Sequence, residues 1–341
     1  MRSWISHEQA RQEKLKNVFT GKMNFKNIKD LSDDIEAWIP SLPARVDCVV
    51  GVPRSGMLVA NILALKLDVP LTDLDGFLEG RIMTMGNRFG DLIPVDFLAT
   101  KRRVLVVDDS ISSGRAIREV HSRIEAAQLD HEVVYGCLYG TPKLSIEWLH
   151  CGQNVAHPRR FEWNIFSTYK ISKYCFDMDG VLCQDPDESE NDDGERYLDF
   201  IRSAKPLYVP AHEIGYIVTS RLEKYRTETE EWLARNGVRY RELKMLNVDS
   251  IQERKGTGAG VRFKASFYRS CGATLFIESN FGKAQKVARL SGLYVYAVDK
   301  RVMVPPVGLR GGITSGKRML RRGLGFGYRK FKDCLAGKAA E

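Results

Sequence analysis

No stretch of this 341-residue chain approaches the roughly 18 consecutive apolar residues of a membrane-spanning helix. The first residues, MRSWISHEQARQEKLK, lack the apolar core of a secretory signal. Cysteine is sparse: seven, odd in number and scattered, so no disulfide framework is expected, and a reducing cytoplasm is favoured. Internal repeats are absent. What remains is ordinary globular composition, 43% hydrophobic and 28% charged, in a chain long enough for two domains. Charge is unevenly placed. Of the net +9, residues 306–341 carry +7, with nine Lys/Arg against Asp333 and Glu341. The basicity belongs to a tail, and the body is near neutral.

Residues 7–38 read as one or two amphipathic helices. Beyond them strands and helices alternate: strands over 45–52, 104–109 and 132–140, helices over 57–67 and 115–127. This alternation predicts a parallel sheet with helices on its faces. After a junction near 151–172 a second α/β series follows, with strands over 173–179, 213–220, 272–279 and 293–299 and helices over 227–237 and 282–292. The acidic run DPDESENDDGE (185–195) reads as a solvated loop. The division is 1–168, 169–305 and a tail from 306 to 341.

Two motifs carry chemistry. VLVVDDSISSGRAI (104–117) is a buried strand, two adjacent acids, a small-residue loop and a helix start. Backbone N–H groups and the helix dipole at such a loop suit a phosphate. Adjacent carboxylates can accept from a diol. The stretch resembles the diphosphoribosyl-binding motif of type I phosphoribosyltransferases. That resemblance implies that Asp108 and Asp109 hold ribose hydroxyls and that Ser110, Ser112, Ser113 and Gly114 cradle a 5-phosphate. GVPRSGMLVA (51–60) is similar to the family's pyrophosphate loop, which places Arg54, Ser55 and Gly56 on the diphosphate. The bases Arg81, Arg88, Lys101, Arg102 and Arg103 lie where the family has a mobile loop. The implied substrate is phosphoribosyl diphosphate, with Mg²⁺.

FDMDGVL (176–182) is similar to the first motif of haloacid dehalogenase-like hydrolases. The resemblance implies Asp177 as nucleophile and Asp179 as general acid/base, with Gly180 permitting the turn between strand and loop. It also puts Thr219 on the phosphoryl oxygens, and Asp177, Asp179 and Glu278 on Mg²⁺. Ser279 stands where a second acid is often found. Lys264 is the expected partner of the nucleophile, with Lys255 as its rival. About 40 residues separate Asp179 from Thr219, too few for a large cap. The fold expected is therefore α/β throughout: a phosphoribosyltransferase sheet, then a Rossmann-like phosphatase with a minimal cap.

For the acceptor, Tyr139, Lys143 and Trp148 could contact a base or pack in the core. HPRRFEWNIF (157–166) faintly resembles the chain end of bacterial xanthine-type transferases. The pairing of motifs resembles, in domain order, two-domain ribofuranosylation proteins of bacterial polysaccharide synthesis, over about residues 40–300. It implies transfer of phosphoribosyl to a glycan hydroxyl, followed by loss of the 5-phosphate. The tail segment RMLRRGLGFGYRKFKDCL (318–335) could lie on an anionic inner membrane face, where lipid-linked glycans grow, or be a solvated basic tail. Two alternatives stand: nucleobase ribosylation coupled to 5-nucleotidase action, and a phosphoribosyl diphosphate-sensing regulator on nucleic acid. No nucleic-acid-reading module accompanies the charge, so nucleic acid is not the expected partner. The sequence leaves the oligomeric state open.

Overall fold

The computed structural model describes residues 22–43, 45–83, 96–166, 169–248 and 258–306. The expectations for the first 21 residues, Arg88, Lys255 and the basic tail therefore lie outside the described residues. Among the described residues no helix is long and apolar enough to cross a membrane.

The first part begins with β1 (Asn24–Lys26) and α1 (Ile28–Trp38). A helix was expected across both. Asn27 divides them: its side chain accepts from Asp30 N while Asp30 accepts from Asn27 N, a capping box that starts the helix at Ile28. The preceding residues extend instead and pair with a later strand. Next come β2 (Cys48–Gly51), α2 (Gly56–Leu67), β3 (Leu71–Asp73), α3 (Leu74–Leu78), β4 (Arg103–Ser110), α4 (Arg115–Ala126), β5 (Glu132–Gly140), β6 (Leu149–Asn154) and β7 (Arg159–Phe161). Five of these strands form a wholly parallel sheet in the order β3-β2-β4-β5-β6, and β1 pairs with β7. The central strands are apolar on both faces. Val49, Leu105 and Val107 pack under α1 and α2, while Val50, Val104 and Val106 pack against α3 and α4. Burial of both faces is what a parallel sheet demands.

The second part runs β8 (Tyr174–Phe176), α5 (Glu195–Ser203), β9 (Ile214–Leu222), α6 (Arg226–Arg235), β10 (Tyr240–Leu246), α7 (Ala259–Ser270), β11 (Leu275–Glu278), α8 (Phe281–Ser291), β12 (Val295–Ala297) and β13 (Val302–Val304). They form a six-stranded sheet in the order β10-β9-β8-β11-β12-β13, parallel except for the last pair. Gly215 lets β9 lie against the backbone before β8: a Cβ there would sit 2.4 Å from Ser172 O. Strands β3, β6, β7, β10 and β13 and helices α3 and α7 were not anticipated. Between Asp179 and Thr219 the one helix is α5, and the acidic run before it is loop. The two parts touch through Met23 N, which donates to the Tyr294 hydroxyl at 3.0 Å. They also meet through Phe166, whose ring lies 4.2 Å from that of Tyr208.

Candidate active sites

In parallel sheets, ligands gather beyond the carboxyl ends of the strands, where helix N-termini converge. The ends of β2 and β4 carry the first group of residues expected to bind ligand. Gly56 opens α2 directly against β4: a Cβ there would lie 2.8 Å from Val107 O and 3.0 Å from Asp108 Cα. This close approach puts Ser55 on the acid pair. Ser55 Oγ donates to Asp109 Oδ1 at 2.8 Å, and Trp163 Nε1 donates to Asp109 Oδ2 at 2.8 Å. Asp109 is buried with both oxygens occupied, and Asp108 accepts from Asp109 N. Burial, and then the charge of Asp109, push the Asp108 carboxyl up to about 8. An acid pair so short of positive charge suits a divalent cation or a hydroxyl donor.

The loop after β4 reaches α4 through Gly114, at φ +78°. Ser112 and Ser113 are exposed on it. Arg54 is exposed and reaches Asn164 at 3.5 Å, and the Pro53–Arg54 peptide is cis. Arg54, Ser55, Gly56, Asp108, Asp109 and the 110–114 loop thus share one edge of the sheet. Among the described residues the expected loop bases are engaged elsewhere: Arg81 pairs with Glu79, Lys101 with Asp130 and Arg103 with Glu132, while Arg102 lies over Phe97.

Two of the acceptor candidates are structural. Tyr139 is fully buried in the core with Leu31 and Ile35, and its hydroxyl donates to Asp34 Oδ2 at 2.7 Å. Trp148 stacks on His121 of α4 at 4.6 Å. Lys143 is exposed. The aromatic at the acid pair is Trp163, which the sequence reading did not single out. It stacks on Phe161 at 4.9 Å, and that ring stacks on Tyr139. Its one signal was its place within HPRRFEWNIF.

At the carboxyl ends of β8, β9 and β11 lies a second group. Lys264, on α7, is buried and bridges two buried acids: Nζ is 2.6 Å from Asp177 Oδ2 and 2.9 Å from Glu278 Oε2. Ser279 does not replace the missing acid but props Glu278, donating to Oε1 from N at 3.1 Å and from Oγ at 3.2 Å. Asp177 also accepts from Met178 N at 2.9 Å. Burial, and then the charge of Glu278, raise Asp177 well above the usual carboxylate range. Burial pushes Glu278 up, but Lys264, the hydrogen bond with Asp177 and the charge of Lys283 together bring it below its ordinary value.

The Asp179 carboxylate turns elsewhere, onto Arg221, a fully buried residue absent from the sequence reading. Arg221 Nη2 and Nε donate to Asp179 Oδ1 at 2.7 and 3.0 Å, and Nη1 reaches Thr229 Oγ1 at 3.3 Å. Thr219 is also fully buried, its hydroxyl accepting from Arg221 N at 3.1 Å, and its neighbour Ser220 lines the cleft. The cleft holds about 400 Å³ and is lined by Asp177, Asp179, Asp185, Ser220, Lys264 and Lys283 among others. Among the described residues no three His, Cys, Asp or Glu side chains converge as a ready metal cluster. The donors are nonetheless all oxygen, the ligand chemistry that Mg²⁺ takes.

Residues 23–168 match the family model of the phosphoribosyl transferase domain. This part of the chain is a type I phosphoribosyltransferase domain, which indicates phosphoribosyl transfer from phosphoribosyl diphosphate. No curated protein matches the chain. Among solved structures it is similar to the xanthine-guanine-hypoxanthine phosphoribosyltransferase of Helicobacter pylori, at 16% identity over 42% of this chain and 95% of that one, TM-score 0.32. It is also similar to the purine phosphoribosyltransferase of Pyrococcus horikoshii Ot3, at 20% identity over 43% and 98%, TM-score 0.32.

Proposed function

We propose that the chain is a two-step enzyme: it transfers 5-phosphoribosyl to a glycan hydroxyl and then removes the 5-phosphate, leaving ribofuranose. The observation that carries this reading is the Asp177–Lys264–Glu278 triad, standing on the same chain as a diphosphoribosyl loop. A salvage enzyme gains nothing by destroying its product's phosphate, whereas a route to unphosphorylated ribosyl groups does.

In the first step Asp108 and Asp109 accept from the ribose hydroxyls. Ser55 and Trp163 hold Asp109 in place for this. Ser110 to Gly114 receive the 5-phosphate, and Arg54, Ser55 and Gly56 the diphosphate. The acceptor oxygen bonds to the anomeric carbon as that carbon's bond to the diphosphate oxygen breaks, and pyrophosphate leaves, taking up the acceptor's hydroxyl proton. In the second step an Asp177 oxygen bonds to phosphorus while Asp179 protonates the leaving ribose oxygen. Asp179 then takes a proton from the water that releases phosphate. Lys264 holds Asp177 in its attacking orientation, and Arg221 holds Asp179. Mg²⁺, held by Asp177, Asp179 and Glu278, would neutralise phosphoryl charge.

The test is the Asp177→Ala variant with Mg²⁺, phosphoribosyl diphosphate and a panel of glycan and nucleobase acceptors, read by product mass. A glycan gaining a phosphoribosyl mass, where the unaltered protein adds only a ribosyl mass, is the expected result. Finished ribosyl product from the variant would sink the relay. Addition only to bases would favour the second reading, nucleoside formation, for which the Trp163 ring beside Asp109 is the supporting observation.

A further inference from the structure

The second sheet carries a pair of thiols that neither step uses. Cys175 lies on β8, fully buried, just ahead of Asp177. Cys271 caps the C-terminal end of α7 and is half-buried. Both are free, and their sulfurs lie 3.7 Å apart.

The surroundings hold this contact in place. Cys175 pairs in register with Tyr216 of β9, whose hydroxyl donates to Cys271 O at 3.2 Å. Ala265 and Tyr268 of α7 pack in the same apolar cluster as Cys175, with Val218 and Phe276. The same two elements also meet at the phosphatase site. Cys175 and Asp177 alternate with Phe176, so they face one side of the sheet. Lys264 and Cys271 are two helical turns apart, so they face one side of α7. One seam therefore carries the Lys264–Asp177 ion pair at one end and the thiol pair at the other. Cys271 is the accessible and more acidic member. A hydrogen bond from Cys175, with the backbone N–H groups of Ala273 and of Cys271 itself, holds its thiol below the ordinary range, against its burial and the charge of Glu242. A lowered thiol is richer in the nucleophilic thiolate.

We propose that Cys175 and Cys271 form an oxidisable dithiol site, which a hydroperoxide converts to a disulfide that fastens α7 to β8 and slows phosphate removal. The Cys271 thiolate bonds to one peroxide oxygen as the O–O bond breaks. Hydroxide leaves and takes up the proton Cys271 gave, leaving a sulfenic acid. The Cys175 sulfur then bonds to the sulfenic sulfur, the S–O bond breaks, and the hydroxyl leaves as water with the Cys175 proton. The two thiols lose two electrons and hydrogen peroxide is reduced to two waters. A disulfide is about 2.0 Å long, so the sulfurs close by about 1.7 Å. That draws in the end of α7 and shifts Lys264 against Asp177. The slowing rests on reading Asp177 as the phosphatase nucleophile; the disulfide itself does not.

The test treats the full chain with hydrogen peroxide, alkylates free thiols in urea with iodoacetamide, and maps the digest by mass. Phosphate release from ribose 5-phosphate is followed alongside. The expected result is a linked peptide pair holding Cys175 and Cys271, separated by dithiothreitol. Phosphate release should be about tenfold slower when oxidised, and dithiothreitol should restore it. Cys271→Ser should form no such link and keep its rate under peroxide. Both thiols remaining open to alkylation, or oxidation confined to Cys151, overturns the proposal. Linkage with an unchanged rate overturns the control of phosphate removal. Linkage in a chain that releases no phosphate in either redox state rejects the phosphatase reading and upholds the dithiol site.

Discussion

Replacing Lys264 by Met removes the cation that bridges two buried carboxylates. Asp177 is 3% exposed and Glu278 is fully buried, so neither charge can turn to bulk water. Breaking a buried ion pair by deleting one partner costs about 3–5 kcal/mol, because the survivor stays charged and unpaired. Here the two survivors also repel each other. In a body of this size that is a fall in melting temperature of roughly 6–20 °C. The pH dependence has a definite sign. With Lys264 present, Glu278 is depressed, so its contribution to stability is present above the unfolded carboxylate pKa and lost as pH falls. Without Lys264 both acids are raised, and a raised acid favours the folded state at low pH. The deficit of Lys264→Met relative to the unaltered protein should therefore shrink as pH is lowered from about 7 to about 5. Adding Glu278→Gln should recover part of the loss at neutral pH. Urea unfolding followed by far-ultraviolet circular dichroism measures both effects. A deficit below about 1 kcal/mol at neutral pH, or one that does not change with pH, would refute the triad as the source of stability. Phosphatase activity should be lost in either variant, with transfer retained.

Three further outcomes are expected. Asp109→Asn should abolish phosphoribosyl transfer, measured by pyrophosphate release, while a supplied phosphoribosyl glycan is still dephosphorylated; loss of both would mean the sites are not independent. Gly215→Ala should cost about 1–3 kcal/mol in chemical denaturation, because its Cβ would press on the Ser172 carbonyl rather than on a side chain that can move. Cys151 is exposed, and a hydrogen bond from the buried Cys137 thiol lowers it to about 7. Its iodoacetamide labelling rate should therefore have a midpoint near about 7, rising toward about 8.5 in Cys137→Ala. A midpoint already near about 8.5 in the unaltered protein would rule out that hydrogen bond.

Local pattern made the first sheet legible. Strand β4, its two acids and its small-residue loop are contiguous, so periodicity, turn chemistry and helix start coincide within 14 residues. The same holds around Asp177, where a buried strand ends in an acid-rich turn. Boundaries slipped where a cap competed with a periodic pattern, as at Asn27, which ends β1 and begins α1. Strand β6 escaped notice because its burial is only partial and its pattern weak.

Apart from Lys264, which the resemblance put beside Asp177, the partners of the acids could not be read along the chain. Arg221 meets Asp179 across 42 residues, Trp163 meets Asp109 across 54, and Lys264 reaches Glu278 from the preceding helix. Each contact depends on how far a strand end projects and how a helix is rotated against it. Sequence determined the two α/β series and the acids at their strand ends, because strand, turn and cap preferences are local. Tertiary structure alone decided that Arg221 meets Asp179 and Trp163 meets Asp109, and that Tyr139 packs inward while Trp163 faces the site. Those outcomes follow from packing between elements, where the burial of charge is settled by whichever partner the fold brings within reach.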